Sequence, residues 1–457
     1  MVNRKIIEDI VVAPAKVLDE TVNATRKASS MVADNQPVQK AKEYWEVLGP
    51  GLTTGASDDD PSGIATYSQT GAKYGFQLLW LSAFTFPLMA VVQEMCARIG
   101  LVTGRGLAAN IKKHYPRQLL YIVAILLFVA NSFNIGADLG ALAKATQLLV
   151  PKTNFTVLVV GYTAFCLFLE IFLSYKNYAK ILKWLALVLF SYVLSALCIK
   201  DLQWSEVIRS TVLPSITFSK EQIILICGIL GTTISPYLFF WQTSQEIEAE
   251  IAEGQTTIKQ RQVTDKRQIR HMRIDVWSGM FLSNVAMFFI ITACAATLFK
   301  AGITNINSAE EAAAALRPFA GDFAYALFAI GILGVGLLGI PVLAGSASYA
   351  ISEAFGFQGG LNKKLRQAYA FYGILIIAML VGLSMNFVGL DPIKALIYSA
   401  VLNGITAPVA LVFIVLISSN KNIMGKFASG FWSKIFGWLT VALMTVASVA
   451  TIYSIFS

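Results

Sequence analysis

Apolar runs of a length that crosses a bilayer recur along the whole chain, among them 119–130, 157–173 and 374–383 inside longer weakly charged stretches. A helix needs about twenty predominantly apolar residues to span the hydrocarbon layer, and in lipid every backbone polar group must be bonded internally. That restricts the chain to helices. Composition agrees: of 457 residues 56% are hydrophobic and only 14% charged, with mean hydropathy +0.63. Eleven spans are predicted, at roughly 48–73, 76–99, 118–149, 155–174, 179–199, 221–249, 274–299, 321–355, 367–387, 393–418 and 432–456. The fold class is therefore an all-α polytopic membrane protein. No cleavable signal peptide is expected, since residues 1–42 are polar and charged.

The formal charge of +9 is a matter of topology and does not point to nucleic acid. With the amino terminus placed in the cytoplasm, 27 of the 36 Lys and Arg residues fall on the cytoplasmic side, as the positive-inside rule requires. A multi-pass protein of the plasma membrane, with a cytoplasmic N-terminus and the lipid bilayer as its surroundings, is the expected localisation. Residues 1–46 read as a cytoplasmic tail, with either a short interfacial helix or no fixed structure. Residues 47–457 read as the membrane domain. The 251–271 segment reads as a solvated cytosolic loop.

Two spans break the apolar pattern. The first contains Ser57-Asp58-Asp59-Asp60-Pro61-Ser62-Gly63, and the sixth contains Thr232-Thr233-Ile234-Ser235-Pro236. Proline and small polar residues at corresponding places five spans apart point to two interrupted helices related by an inverted repeat, with a site near the midplane. An interruption frees carbonyls and N–H groups, which are tolerated at membrane depth only against protein or a polar cavity. Carbonyls beside a carboxylate make a cation site, and intramembrane acids are functional candidates by default. At helical spacing Asp58 and Asp59 diverge from Asp60 and were placed at a vestibule or a solvated rim. Glu94 and Glu170 were expected to be structural and hydrogen-bonded, Glu246 and Glu248 to border an inner exit, and Glu353 to end the eighth span. The five cysteines lie in apolar runs without metal-ligand spacing, and neither His114 nor His271 is in a span. No nucleotide-binding or hydrolase motif is present, so no enzyme activity is expected.

The stretch from Gly49 to Trp80, "GPGLTTGASDDDPSGIATYSQTGAKYGFQLLW", resembles the first helix of Nramp divalent-metal transporters. Gln93–Ile111, Gly136–Ala143 and Gly231–Ser244 resemble the segments that follow in that family. The resemblance spans about 47–456 and implies the LeuT-like fold: a 5+5 inverted repeat (47–199 and 221–418) with broken helices 1 and 6, plus an additional helix at 432–456. It also implies where the metal sits. Asp60 matches the family's helix 1 aspartate, Gly63 stands at its asparagine, and Ser235 at its helix 6 methionine, with backbone carbonyls near Ser57 and Thr232. Ala400 stands at a helix 10 glutamine. The third-helix aspartate matches Asp138, but its glutamate partner is Ala141 and the two helix 6 histidines are Tyr237 and Gln242.

Methionine sulfur favours softer transition metals, whereas carboxylate, carbonyl and water oxygens suit Mg²⁺, Ca²⁺ or Mn²⁺. Mg²⁺ keeps several waters and takes one or two carboxylates. The leading expectation is accordingly a facilitator of hydrated divalent cations, preferentially Mg²⁺, without proton coupling, resembling the magnesium branch of the family. It would act as a monomer and hold no cofactor besides its transported ion. The alternative is a proton-coupled Mn²⁺/Fe²⁺ importer. A third reading, from another class, is a metal sensor on a transporter fold.

Overall fold

The computed structural model describes residues 36–199, 202–217, 219–388 and 392–456, with side chains inside 392–405 described only at Ser399, Leu402 and Asn403. Most of the tail and the Ala400 side chain lie outside the described residues. Two compact units result, 1–48 and 49–457. The first contains α1 (Gln36–Val47), a mostly exposed helix.

The second unit is helical throughout its described residues. Its first interrupted span is α2 (Pro50–Asp58) and α3 (Pro61–Tyr74). Then come α4 (Trp80–Thr103), α5 (Leu107–His114), α6 (Arg117–Leu149), α7 (Phe155–Phe172), α8 (Tyr175–Leu185), α9 (Phe190–Leu197) and α10 (Trp204–Val212). The second interrupted span is α11 (Lys220–Thr233) and α12 (Pro236–Ala252). After it follow α13 (Ile258–Arg261), α14 (Lys266–Cys294), α15 (Ala309–Phe355), α16 (Tyr369–Met385), α17 (Pro392–Ser419), α18 (Lys421–Met424) and α19 (Phe431–Phe456). Eight helical stretches among the described residues are long and apolar enough to cross a membrane unaided, or nine counting the bent pair from Thr406 to Phe427. Each predicted span corresponds to a helix or a helix pair. The first span falls short of that test because it is broken and polar, and α16 because it has only 17 residues.

Local chemistry sets the boundaries. Pro61 and Pro236 each occupy the first position of a helix, where the missing N–H costs nothing. Asp60 caps α3 through Gly63 N, and the Ser219 hydroxyl caps α11 through Gln222 N. The 47-residue α15 would run about 70 Å if straight, over twice a bilayer core. It is instead kinked at Gly321, whose φ of 86° lies in the left-handed region open to glycine. The predicted span at 321–355 thus begins at a real bend, and the helical turns before it were not foreseen.

The core places α15 along α6, and α14 against both halves of the first broken span. Small residues permit that closeness. A Cβ on Gly55 of α2 would fall 2.2 Å from the Gly279 carbonyl carbon of α14, and one on Gly51 would fall 2.5 Å from Val276 N. Van der Waals packing of this kind holds membrane helices together where lipid is as apolar as leucine. Asp275 of α14 reinforces it by accepting hydrogen bonds from the backbone N–H groups of Gly49, Gly51 and Leu52, at 2.7, 2.6 and 2.9 Å. These are the donors that the start of α2 leaves unpaired.

Candidate cation site at the two helix breaks

At the first break the chain leaves helical geometry at Asp59 (φ −85°, ψ 50°) and is extended at Asp60 (φ −63°, ψ 168°). Asp60 is 3% exposed. Its Oδ1 accepts from Ser62 Oγ at 2.5 Å and from Gly63 N at 2.8 Å. Gly339 of α15 faces it, and a Cβ there would sit 3.3 Å from Asp60 Cβ and 3.9 Å from Ser57 O. Ser57 O and Asp60 therefore flank the same bare patch of backbone. Gly63, at the position of the family's asparagine, has room: an added Cβ would meet Asp58 O at 3.4 Å and Asp60 Oδ1 at 3.6 Å, ordinary contacts.

At the second break Ser235 Oγ turns back on its own helix, donating to Gly231 O at 2.8 Å and Thr232 O at 2.9 Å. Thr232 Oγ1 likewise donates to Ile229 O at 3.0 Å. The two breaks are joined by Tyr237, whose hydroxyl donates to Ser57 O at 2.9 Å. Among the described residues no hydrogen bond links Asp60 to Ser235 or Thr232, so the five predicted residues form two local groups tied through Tyr237. A carbonyl has two lone pairs, so Ser57 O retains acceptor capacity beside the tyrosine. Tyr237, Gly339 and Asp275 were missed as site-forming residues. Gly336 and Gly339, three apart in the chain, were the available signal for close helix approach.

Several expectations about the acids need correction. Asp58 and Asp59 are fully buried and do not form a rim. Asp58 Oδ2 accepts from Ser283 Oγ at 3.1 Å, while neither Asp59 oxygen has a hydrogen-bond partner. Among the described residues no three His, Cys, Asp or Glu side chains converge as a metal cluster, so the three consecutive carboxylates do not gather on one ion, the chain having left helical geometry at Asp59 and Asp60. Glu170 is buried with neither oxygen bonded, against the expectation of a hydrogen-bonded structural role. Glu94 does have that role, accepting from Arg98, Arg273 and Trp277 Nε1. Glu248 does not border an exit. It braces α12 to α15 and the next loop, through Tyr349 OH at 2.8 Å and the N–H groups of Leu361 and Asn362 at 2.9 Å each. Glu246 is buried beside Gln242, and Glu353 accepts from Ala109 N near the start of α5. Asp138 is buried without a bonded partner. Asn403 and Ser399 are buried, and Ser399 ties α17 to Ala130 O of α6.

Access to the site is asymmetric. From Gly51 to Asp58, and from Pro236 to Glu246, every residue is buried. By contrast, Ser62, Thr66, Gln69 and Lys73 of α3 form a half-exposed polar stripe at helical spacing, with Gly228 of α11 against Thr66 and with Gly231 and Thr232 also half-exposed. The stripe ends at an ion pair between Lys73 and Glu221 at 2.7 Å. Its inner end is Ser62, whose hydroxyl reaches Asp60.

An interrupted-helix membrane transporter is the class this fold and site define. The profile described as natural resistance-associated macrophage protein-like (Nramp) matches residues 51–454, and the chain belongs to that family of membrane metal transporters. It is similar to the divalent metal cation transporter MntH of Klebsiella pneumoniae (strain 342), with 24% identity over 418 residues, covering 91% of this chain and 96% of the relative. A crystal structure of an Eremococcus coleocola manganese transporter superposes with a TM-score of 0.68 at 21% identity, covering 89% of this chain and 86% of the other. A nucleobase-cation-symport-1 family transporter in a closed conformation superposes at 0.51 with 15% identity, over 89% and 91% of the two chains. These likenesses establish the LeuT-like fold.

Proposed function

We propose that the chain moves divalent cations across a membrane by alternating access, with Asp60 as the charged ligand. The observation that carries this reading is one buried carboxylate at a helix interruption, held in place by Ser62 and Gly63 and flanked, with the Ser57 carbonyl, by the bare backbone of Gly339. Ser57 O and water would complete the coordination, with Ser235, Thr232 and the space beside Gly63 lining it. An isolated buried carboxylate is costly, and a dication supplies the missing counter-charge.

The named manganese and divalent-metal transporters support the Mn²⁺ alternative better than they support a dedicated Mg²⁺ carrier. The donor set supports a harder ion. With Ser235 and Gly63 in place of a thioether and an amide, all donors are oxygens, and oxygen sites suit Mn²⁺ and Mg²⁺ alike. The synthesis is that Mn²⁺ is carried and Mg²⁺ is not rejected. Proton coupling is read as absent because Tyr237 and Gln242, committed to Ser57 O and Glu246, replace the titratable helix 6 positions. Asp138 and Glu246 are the buried acids that favour the coupled alternative. We further read the protein as a monomer of the plasma membrane with its N-terminus in the cytoplasm, supported by the one-sided basic loops.

The test is Mn²⁺ uptake into proteoliposomes, with Mg²⁺ as competitor and a lumenal pH reporter at clamped voltage. Millimolar Mg²⁺ should suppress Mn²⁺ entry and itself enter without acidification. Indifference to Mg²⁺ would leave an ordinary manganese importer. Metal-dependent acidification abolished by Asp138→Asn would establish the proton-coupled alternative. Metal binding without flux would establish a sensor.

A further inference from the structure

A second polar cavity, of about 600 Å³, opens on the face that carries the basic loops. It lies among the end of α4, the helix α5, the loop after α13 and the segment around α18. Arg105, Lys113, His114 and Lys426 line it with Asn110 and Gln262, and no carboxylate does. Gln262, in the loop whose composition reads as solvated, forms part of this wall.

The cavity is built, not a chance gap between lysines. Asn110 Nδ2 donates to Thr103 Oγ1, Arg105 O and Gly106 O, each at 2.9 Å. Gln262 Nε2 donates to Thr103 O at 3.2 Å, and Thr264 Oγ1 to Leu101 O at 2.8 Å. These bonds fix the backbone that carries Arg105. The Nε of Arg105 is buried and has no hydrogen-bond partner, an unusual state for a strong donor. No ion pair among the described residues engages Arg105, Lys113 or Lys426. Arg261, behind the wall, lies within electrostatic reach of Glu250 and Glu248 as well as of Arg105. His114 titrates below the ordinary histidine value, through partial desolvation and the positive charges of Lys113 and Arg105. Immediately after the α18 segment, Phe431 and Trp432 are 72% and 70% exposed, the placement of aromatic residues at the headgroup level of a bilayer.

We propose that this cavity binds a phosphate-bearing anion, with the Arg105 guanidinium as its principal ligand and Lys113 and Lys426 as flanking charges. A guanidinium presents paired donors to phosphate oxygens, and lysines act as point charges beside it. The source is an anionic phospholipid headgroup or a free phosphate. Basic pockets at the ends of membrane helices suit the former, and the depth marked by Trp432 agrees.

The chain has two histidines, so ring-labelled full-length protein gives two resolvable titrations. It would be placed in nanodiscs of neutral phosphatidylcholine, the same discs containing phosphatidylglycerol, and neutral discs with inorganic phosphate added. Phosphatidylglycerol should raise the His114 pKa by about half a unit or more, because a bound anion offsets the local positive field. His271 reports the general surface potential. The Arg105→Gln/Lys426→Gln variant should lose the extra shift at His114, and Arg105→Lys should retain part of it. A response to lipid and not to inorganic phosphate assigns the headgroup, and the reverse assigns a soluble phosphate. No response to either, or a shift at His114 that equals His271 or persists in the double variant, overturns the site.

Discussion

The two halves of each broken helix have opposite relations to water. Along α2 and α12 every residue flanking the breaks is buried, with α2 held on α14 by bare glycines and by the Asp275 carboxylate. Along α3 and α11 a polar stripe is half-exposed from Ser62 out to Lys73. The same covalent interruption thus separates a locked half from a wetted half. Opening the opposite side must detach α2 or α12 from contacts now made by backbone against backbone. The breaks also differ from each other in charge. The first concentrates three buried carboxylates, and the second carries none, offering hydroxyls already bonded to their own helix. Binding energy for a dication therefore resides in the first break, while the second shapes the space around it.

The largest expected effect is at Asp60. Asp60→Asn preserves a good helix cap for α3 but removes the charge, so the protein should fold and metal uptake should fall to background. Wild-type uptake in that variant would move the cation away from the first break. Next comes the asymmetry itself. In a cysteine-free background, Thr66→Cys should react with a polar thiol reagent at least about tenfold faster than Thr54→Cys, because thiolate chemistry needs access. Equal rates would show that the locked half is open as often as the wetted one.

Selectivity should respond more moderately. Ser235→Met with Gly63→Asn restores a thioether and an amide, and a Cβ at Gly63 makes only ordinary contacts. Cd²⁺ and Mn²⁺ should gain several-fold over Mg²⁺ in competition binding. An unchanged order of preference would show that neither position faces the ion. The bond from Tyr237 to Ser57 ties the two breaks. Losing it in Tyr237→Phe should cost about 1 kcal/mol, about a fivefold change in metal affinity. No change on titration would mean the tie has no part in shaping the site. The smallest effect is at the mouth. The Lys73–Glu221 pair has one partner 69% exposed, so Lys73→Ala should alter uptake by less than about twofold. A larger change would make the pair a gate.

Much of this was legible in the chain itself. Apolar run length fixed the class, because lipid forbids unsatisfied backbone. Proline beside small polar residues located both interruptions, since proline can only begin the helix that follows it. The motif singled out Asp60 as the candidate ligand, whereas the helical spacing used for Asp58 and Asp59 does not hold where the backbone turns extended. What the sequence read wrongly were burial and partnership. Asp58 and Asp59 were assigned to a vestibule or a solvated rim and are fully buried, Glu170 was given partners it lacks, and Glu248 was put at an exit when it is a brace. Each error concerns what lies across from a side chain. Tyr237 reaches Ser57 over a separation of 180 residues, and Asp275 reaches Gly51 over 224. Local patterning determined which segments are helices and where they break, because those preferences are settled within a few residues along the chain. Which half of each break is sealed, and which cations gather around the cavity at Arg105, depended on helix packing, because such contacts join residues that no sequence spacing brings together.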